Sequence, residues 1–252
     1  MADTLLRVEG LYKRFGGLVA TDRLDFAVER GELHALIGPN GAGKTTFIHQ
    51  LSGALKPDSG RIVFDGQDVT TRSLHERART GLARSYQITS LFKRFSVRHN
   101  LALAVLARSG SSLSFWRPLS REAALAQEAM AIAARVGLAG REHRIAGTLA
   151  HGEQRQLEVG LALATNPRLL LLDEPMAGMG PEESRRMIEL IAGLKGIVTV
   201  LLVEHDMDAV FQLADRVSVL VSGRVIATGT PEAIRSNTEV RRAYLGDEVE
   251  AA

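Results

Sequence analysis

Residues 38–45 read Gly38-Pro39-Asn40-Gly41-Ala42-Gly43-Lys44-Thr45, with Thr46 following. Every fixed position of the phosphate-loop pattern G-x-x-x-x-G-K-[ST] is filled. The residue types dictate anion chemistry. Gly38, Gly41 and Gly43 have no Cβ, so the chain can curl tightly and aim successive backbone N–H groups at one point. A helix beginning there adds its dipole to the attraction. Lys44 supplies an ammonium group for the β- and γ-phosphates, and the Thr45 hydroxyl supplies an oxygen for Mg2+. Two carboxylates offer the other half of such a site. Asp173 and Glu174 end the apolar run that starts at Leu169. Asp173 suits a divalent ion, held directly or through water. Glu174 suits a base that orients or deprotonates an attacking water. His205 ends a second apolar run, Val198 to Val203, and can donate a hydrogen bond toward the γ-phosphate side. Gln87 follows Leu82-Ala83 and carries an amide able to touch both Mg2+ and water.

These groups need a scaffold that brings them to one edge. Leu33 to Ile37 reads as a buried strand entering the loop, and Phe47, Ile48, Leu51 and Leu55 continue at helical spacing. Leu6, Val8, Leu24, Phe26 and Val28 alternate with polar neighbours, which predicts short strands within residues 1–30. Residues 61–69 read as a hairpin turning at Asp65-Gly66. Residues 91–165 are helix-rich. Leu125, Ala129, Ile132 and Val136 share one face, with Gly137 as a stop, and a Ser-rich loop runs from Gly110 to Pro118. Pro181 opens a helix carrying Met187, Leu190, Ile191 and Leu194. Met207, Val210, Phe211 and Ala214 mark another. Residues 216–228 read as two short strands, and Thr230-Pro231-Glu232 reads as a helix start. The alternation predicts an α/β fold with a mostly parallel sheet and helices on both faces, beside a small antiparallel sheet. The helical block, roughly 88–165, is expected as a lobe inserted in a single domain spanning 1–252.

Composition narrows the setting. A chain of 252 residues that is 45% hydrophobic can bury a sizeable core. It has no cysteine, so disulfides and cysteine-bound metals are excluded. A net charge of +2 gives no argument for a nucleic-acid partner, and none is expected. The longest apolar runs, such as Ile197 to Val203, fall far short of a membrane span, and MADTLLRVEG carries no basic-then-apolar leader. The expectation is a cytoplasmic chain that works at a membrane only through partners.

With these motifs in place, the chain resembles an ATP-binding-cassette (ABC) ATPase subunit, a phosphate-loop NTPase with a RecA-like core, from residue 5 to about 246. The segment LAHGEQRQLEVGLALA at 149–164 is similar to the family's signature segment. The resemblance implies ATP and Mg2+ as ligands and a head-to-tail pair of subunits. Each site would join the loop of one subunit to the signature segment of the other, here Ala150, His151, Gly152 and Glu153. It implies Lys44, Glu174 and His205 as the catalytic groups, Thr45, Gln87 and Asp173 around the metal, and Gln87 as the link to the helical lobe. Phe15 in YKRFGG resembles the aromatic that stacks on adenine, with Tyr12 as the competing choice.

Finer details look most like the ATPase subunits of branched-chain amino acid importers. They are AHGE at 150–153, PMAGMG after Glu174, YQITSLF at 86–92, EHDM at 204–207 and RRAYLG at 241–246. Urea and amide importers share nearly the same motifs, and a lipopolysaccharide-export ATPase shares the last. A soluble cassette protein outside transport is a further alternative. The importer resemblance implies two integral-membrane permease subunits, a second ABC ATPase subunit, an external substrate-binding protein acting indirectly, and a place on the cytoplasmic face of the membrane. Two departures bear on the pairing. Ala150 lacks the hydroxyl expected to meet the partner's γ-phosphate, with His151 and Glu153 as substitutes, and Gly180 stands where many members have Asp. Unequal sites and a different partner chain are therefore expected, although a homodimer stays open. A permease helix is expected to dock along Ile88 to Val97, with Leu91, Phe92 and Phe95.

Overall fold

Strand alternation near the start of the chain builds the first sheet. The computed structural model describes residues 3–85, 91–108 and 119–245. Strands β1 (Thr4–Phe15) and β2 (Leu18–Glu29) pair antiparallel, and β4 (Ser59–Phe64) and β5 (Gln67–Asp68) extend the sheet in the order β2-β1-β4-β5. β4 and β5 turn at Asp65-Gly66, where both residues take positive φ, as a tight two-residue hairpin requires. The short strands anticipated within residues 1–30 are in fact two twelve-residue strands. Their pairing shifts register between Val8 and Leu11 and again on to Lys13, which breaks the period-two pattern that would announce one long strand.

The second sheet runs β10-β9-β3-β8-β7-β6. Its parallel members are β3 (Leu33–Ile37), β6 (Leu82–Arg84), β7 (Leu169–Asp173), β8 (Thr199–Val203) and β9 (Arg216–Val221), and β10 (Arg224–Gly229) adds an antiparallel edge. Every residue of β3, β7 and β8 is buried, because layers cover both faces. The strands divide their side chains between two cores. Leu169, Leu171, Leu201 and Val203 join Phe47, Ile48 and the antiparallel sheet on one face. Leu170, Leu172, Val200 and Leu202 meet the remaining helices on the other.

Helix α1 (Lys44–Ser52) follows β3 directly, and α2 (Leu74–Arg79) precedes β6. Helices α3 (Val97–Arg108), α4 (Leu119–Arg135) and α5 (His151–Ala164) lie in sequence between β6 and β7. Then come α6 (Pro181–Ala192), α7 (Met207–Leu213), α8 (Pro231–Ser236) and α9 (Thr238–Leu245). The local signals read from sequence recur as caps. Gly137 takes φ 76 just past α4, and Thr230 accepts the Ala233 N–H at the start of α8. The expected loop at 110–118 lies outside the described residues. Among the described residues no helix is long and apolar enough to cross a membrane.

Candidate active site

Sheet order alone assembles the site. β8 lies between β3 and β7, and all three are parallel. Their C-terminal ends therefore open on one crevice. The loop 38–43 leaves β3, His205 lies just beyond β8, and Asp173 and Glu174 end β7.

The loop is built from backbone with no room for side chains at two points. A Cβ on Gly38 would run into the carbonyl oxygen of Leu220, and a Cβ on Gly43, at φ 102, into that of Ala20. The Gly223 N–H bonds the Ala42 carbonyl at 2.9 Å, and the Asp22 N–H bonds the Gly223 carbonyl at 2.9 Å. The loop is thus clamped between β2 and the β9–β10 turn. Gly43 is the N-cap of α1, so Lys44, Thr45 and Thr46 form the helix's first turn, where free N–H groups favour an anion. Pro39 is half-buried, and Asn40, Gly41 and Thr45 are exposed.

Lys44 is buried and donates to the carbonyl oxygens of Gly38 at 2.5 Å and Pro39 at 3.0 Å. Burial pulls its ammonium below the ordinary lysine range, and the carboxylates of Glu174 and Asp173 oppose that shift. The three groups therefore act on one another across the crevice. A backbone cradle, an ammonium, a threonine hydroxyl and a buried carboxylate form a donor set that suits a triphosphate with a hard divalent ion.

Asp173 carries a feature that the sequence did not announce. The Arg84 guanidinium, from the neighbouring strand β6, donates to its carboxylate at 2.8 Å, and both side chains are nearly inaccessible. His49 on α1 feels the same pair. Burial and then Arg84 hold its imidazole below the usual value, and Asp173 opposes them. Glu174 sits at φ 47 with its N–H on the Val203 carbonyl at 2.9 Å, which keeps the turn in register with β8. The His205 side chain is 64% exposed, with Nδ1 3.7 Å from the Glu204 carboxylate. Behind it, the buried Glu204 carboxylate accepts N–H bonds from Met176 at 3.0 Å and from His205 at 3.1 Å. Glu204 was readable as a lone carboxylate at the end of an apolar strand. Arg84 had no comparable signal.

The remaining expected residues divide. Phe15 is exposed at the tip of the β1–β2 hairpin opposite Leu18, and this hairpin is the one whose Ala20 abuts Gly43. Tyr12 is half-buried and pairs with Ser59 of β4. Gln87 lies outside the described residues, as do 88–90 of the expected docking surface. Ala150 is the N-cap of α5 and makes no side-chain bond there. The Glu153 carboxylate accepts the Ala150 N–H at 3.0 Å and pairs with Arg141 at 3.1 Å, so it is engaged within its own lobe. The Gly152 N–H reaches Glu183 at 3.0 Å, and His151 Nε2 lies 3.4 Å from the Ala177 carbonyl, beside the segment that follows Glu174.

Known sequences and structures are similar to this chain. The profile described as ABC transporter matches residues 21–177, and one described as branched-chain amino acid ATP-binding cassette transporter matches residues 224–250. The chain is 41% identical over 256 residues to the high-affinity branched-chain amino acid transport ATP-binding protein BraF of Pseudomonas aeruginosa, covering 98% of this chain and 100% of that one. LivG of Escherichia coli K12, described in the same words, is 41% identical over 257 residues with the same coverage. The crystal structure of the ADP conformation of MJ1267, an ATP-binding cassette of an ABC transporter, superposes with a TM-score of 0.84. It is 32% identical, covering 96% of this chain and 99% of that one.

Proposed function

This chain belongs to the ABC transporter family, and from that membership we propose that it is the ATPase subunit of an importer for branched-chain amino acids. Its family activity is ATP hydrolysis coupled to transport, and its relatives are ATP-binding subunits of transporters. The observation that carries the amino acid reading is 41% identity along nearly the whole chain, with the branched-chain profile matching at residues 224–250.

The residues then take these roles. The N–H groups of 38–46 hold the phosphates, and Lys44 exchanges the Gly38 and Pro39 carbonyls for β- and γ-oxygens. Phe15 stacks on the base. Thr45, Asp173 and Gln87 hold Mg2+, which when bound neutralises phosphate charge. Glu174 orients the attacking water, and His205 donates to the γ-phosphate. Residues 150–153 complete the site of a second ATPase subunit, in which the start of α5 meets the partner's γ-phosphate. Glu153 is already bonded to Ala150 and Arg141, so it does not replace the missing hydroxyl at Ala150. Together with Gly180, this supports a partner that is a paralogous chain. The assembly includes two integral-membrane permease subunits, with this chain at the cytoplasmic face of the membrane, and receives substrate indirectly from an external binding protein. Residues 88–165 act as a lobe within a single domain of 1–252 that passes closure to the permeases.

Deleting the chain from its host should abolish high-affinity uptake of leucine, isoleucine and valine. The parent sequence should restore uptake, and Glu174→Gln should bind ATP but not restore it. Unchanged uptake in the deletion strain rules out the amino acid assignment. Full rescue by Glu174→Gln places the base elsewhere.

A further inference from the structure

Glu204 is 1% exposed, and none of the roles above uses it. A carboxylate at such a depth loses its hydration, so burial pushes its carboxyl above the ordinary range, and the N–H groups around it, with the His205 ring, partly offset that cost. Those donors come from two separate segments. One is the N–H of Met176, two residues past Glu174. The other is the N–H of His205. Asp173 pairs with Val203 at the last rung of the β7–β8 ladder, and the Glu174 N–H on the Val203 carbonyl is the final strand-like bond. Beyond that point the Glu204 carboxylate takes over from backbone carbonyls and ties the two segments together.

The tie has something to restrain. Glu174 holds φ 47, a left-handed conformation that a non-glycine residue keeps only when its surroundings over-determine it. Met176 is buried, so its N–H has no water to turn to if the carboxylate leaves. The His205 N–H is bonded to the Glu204 carboxylate, and its exposed ring brings Nδ1 to 3.7 Å from the same group, so the ring's direction depends on where that carboxylate is fixed.

We propose that Glu204 is a positioning residue that locks the Glu174 turn to the His205 backbone, so that the water-orienting carboxylate and the γ-phosphate donor are held in one fixed relation. The inference rests on the roles given above to Glu174 and His205. Glu204 touches neither ATP nor water. It acts through the two segments that do.

The test is Glu204→Gln in the full chain within its transporter. The amide keeps the shape but presents one acceptor oxygen and one NH2, so in either orientation one of the two N–H groups loses its acceptor. The expected result is a fall in kcat of about tenfold or more, the size typical of a lost supporting contact, with ATP affinity within about threefold of the parent because the 38–45 loop is untouched. The urea midpoint should fall only modestly, by the size of one N–H left without its acceptor. A kcat within about twofold of the parent overturns the proposal, and so does a parallel loss of kcat, affinity and midpoint, which marks a purely structural brace. Glu174→Gln, assayed alongside, separates the two levels. Parental turnover in that variant removes the base and with it anything to position, whereas its inactivity beside a fully active Glu204→Gln removes only the positioning role. Should Glu204→Gln fail to fold, hydrogen exchange on the parent protein decides. Met176 and His205 amides that are slow and exchange together support the tie, and independent fast exchange overturns it.

Discussion

The most demanding contacts in this protein are made by residues without side chains. At Gly43 a Cβ would meet the Ala20 carbonyl while the backbone holds φ 102, so two separate constraints fall on one position. Alanine there must adopt a conformation costing about 1–2 kcal/mol and must also push a backbone carbonyl of β2 aside. Since about 1.4 kcal/mol is tenfold in binding, Gly43→Ala should weaken ATP affinity by more than about tenfold. Gly41→Ala, where a Cβ meets nothing within 4 Å, should be milder despite its positive φ. Fluorescent-nucleotide titration of both variants checks this, and equal losses would contradict the steric account. Much of this loop was legible in the sequence, because a pattern of fixed spacing reports purely local geometry. Arg84 was harder for the opposite reason. The Arg84 guanidinium finds Asp173, 89 positions along the chain, on the neighbouring strand, and no local rule encodes that pairing.

At the scale of elements, α1 shows how a short helix is made to hold a fixed place. Its nine residues are too few to be stable alone, so both ends must be anchored. The N-terminus is fixed by the clamped loop. At the C-terminus the buried Arg77 guanidinium, from α2, donates to the carbonyls of Gln50 and Leu51 at 2.7 Å each, and to those of Thr70 and Arg72. Burial pulls Arg77 down to about 10, so it stays charged at neutral pH and complements the negative end of the helix dipole. Arg77→Met fills similar space but leaves four carbonyls without this donor, and at roughly 1 kcal/mol or more each it should cost about 3 kcal/mol or more. Urea unfolding measures it, and a loss under about 1 kcal/mol would show that water replaces the guanidinium. The sequence carries a local signal for α2 that apolar periodicity does not show. Ser73 and Glu76 form a capping box, S-x-x-E, with both reciprocal bonds present. A six-residue helix shows too little apolar period to be noticed without it. In β1 and β2 the opposite holds, because bulges interrupt alternation and make one long strand read as several short ones.

At the scale of the whole molecule, the proposed catalytic edge and the proposed permease surface lie on different elements, so on that proposal coupling depends on how apolar groups are presented outside the core. The expected docking segment divides along this line. Leu91 is buried in the core with Val97 and Leu101, whereas Phe92 is 58% exposed and stacks on Phe95 at a centroid distance of 5.5 Å. That exposure is held in place. The buried Asn100 amide accepts the Phe92 N–H at 2.9 Å and donates to the Phe92 carbonyl at 3.1 Å, fixing the backbone beneath the ring. An apolar pair mounted rigidly in solvent lowers the ordering cost of binding a partner, and it contributes little to the fold of the free chain. Phe92→Ala should therefore change the stability of the isolated protein by no more than about 0.5–1 kcal/mol, as for ordinary surface positions. In the assembled transporter the same variant should retain ATP hydrolysis while substrate uptake falls several-fold, because the site is intact and only the contact that transmits closure is lost. Asn100→Ala should reach the same uptake defect indirectly, by releasing the mount, and should also lower the urea midpoint. Measuring hydrolysis, uptake and unfolding on both variants separates contact from support. Normal uptake with Phe92→Ala would move the permease surface away from this aromatic pair.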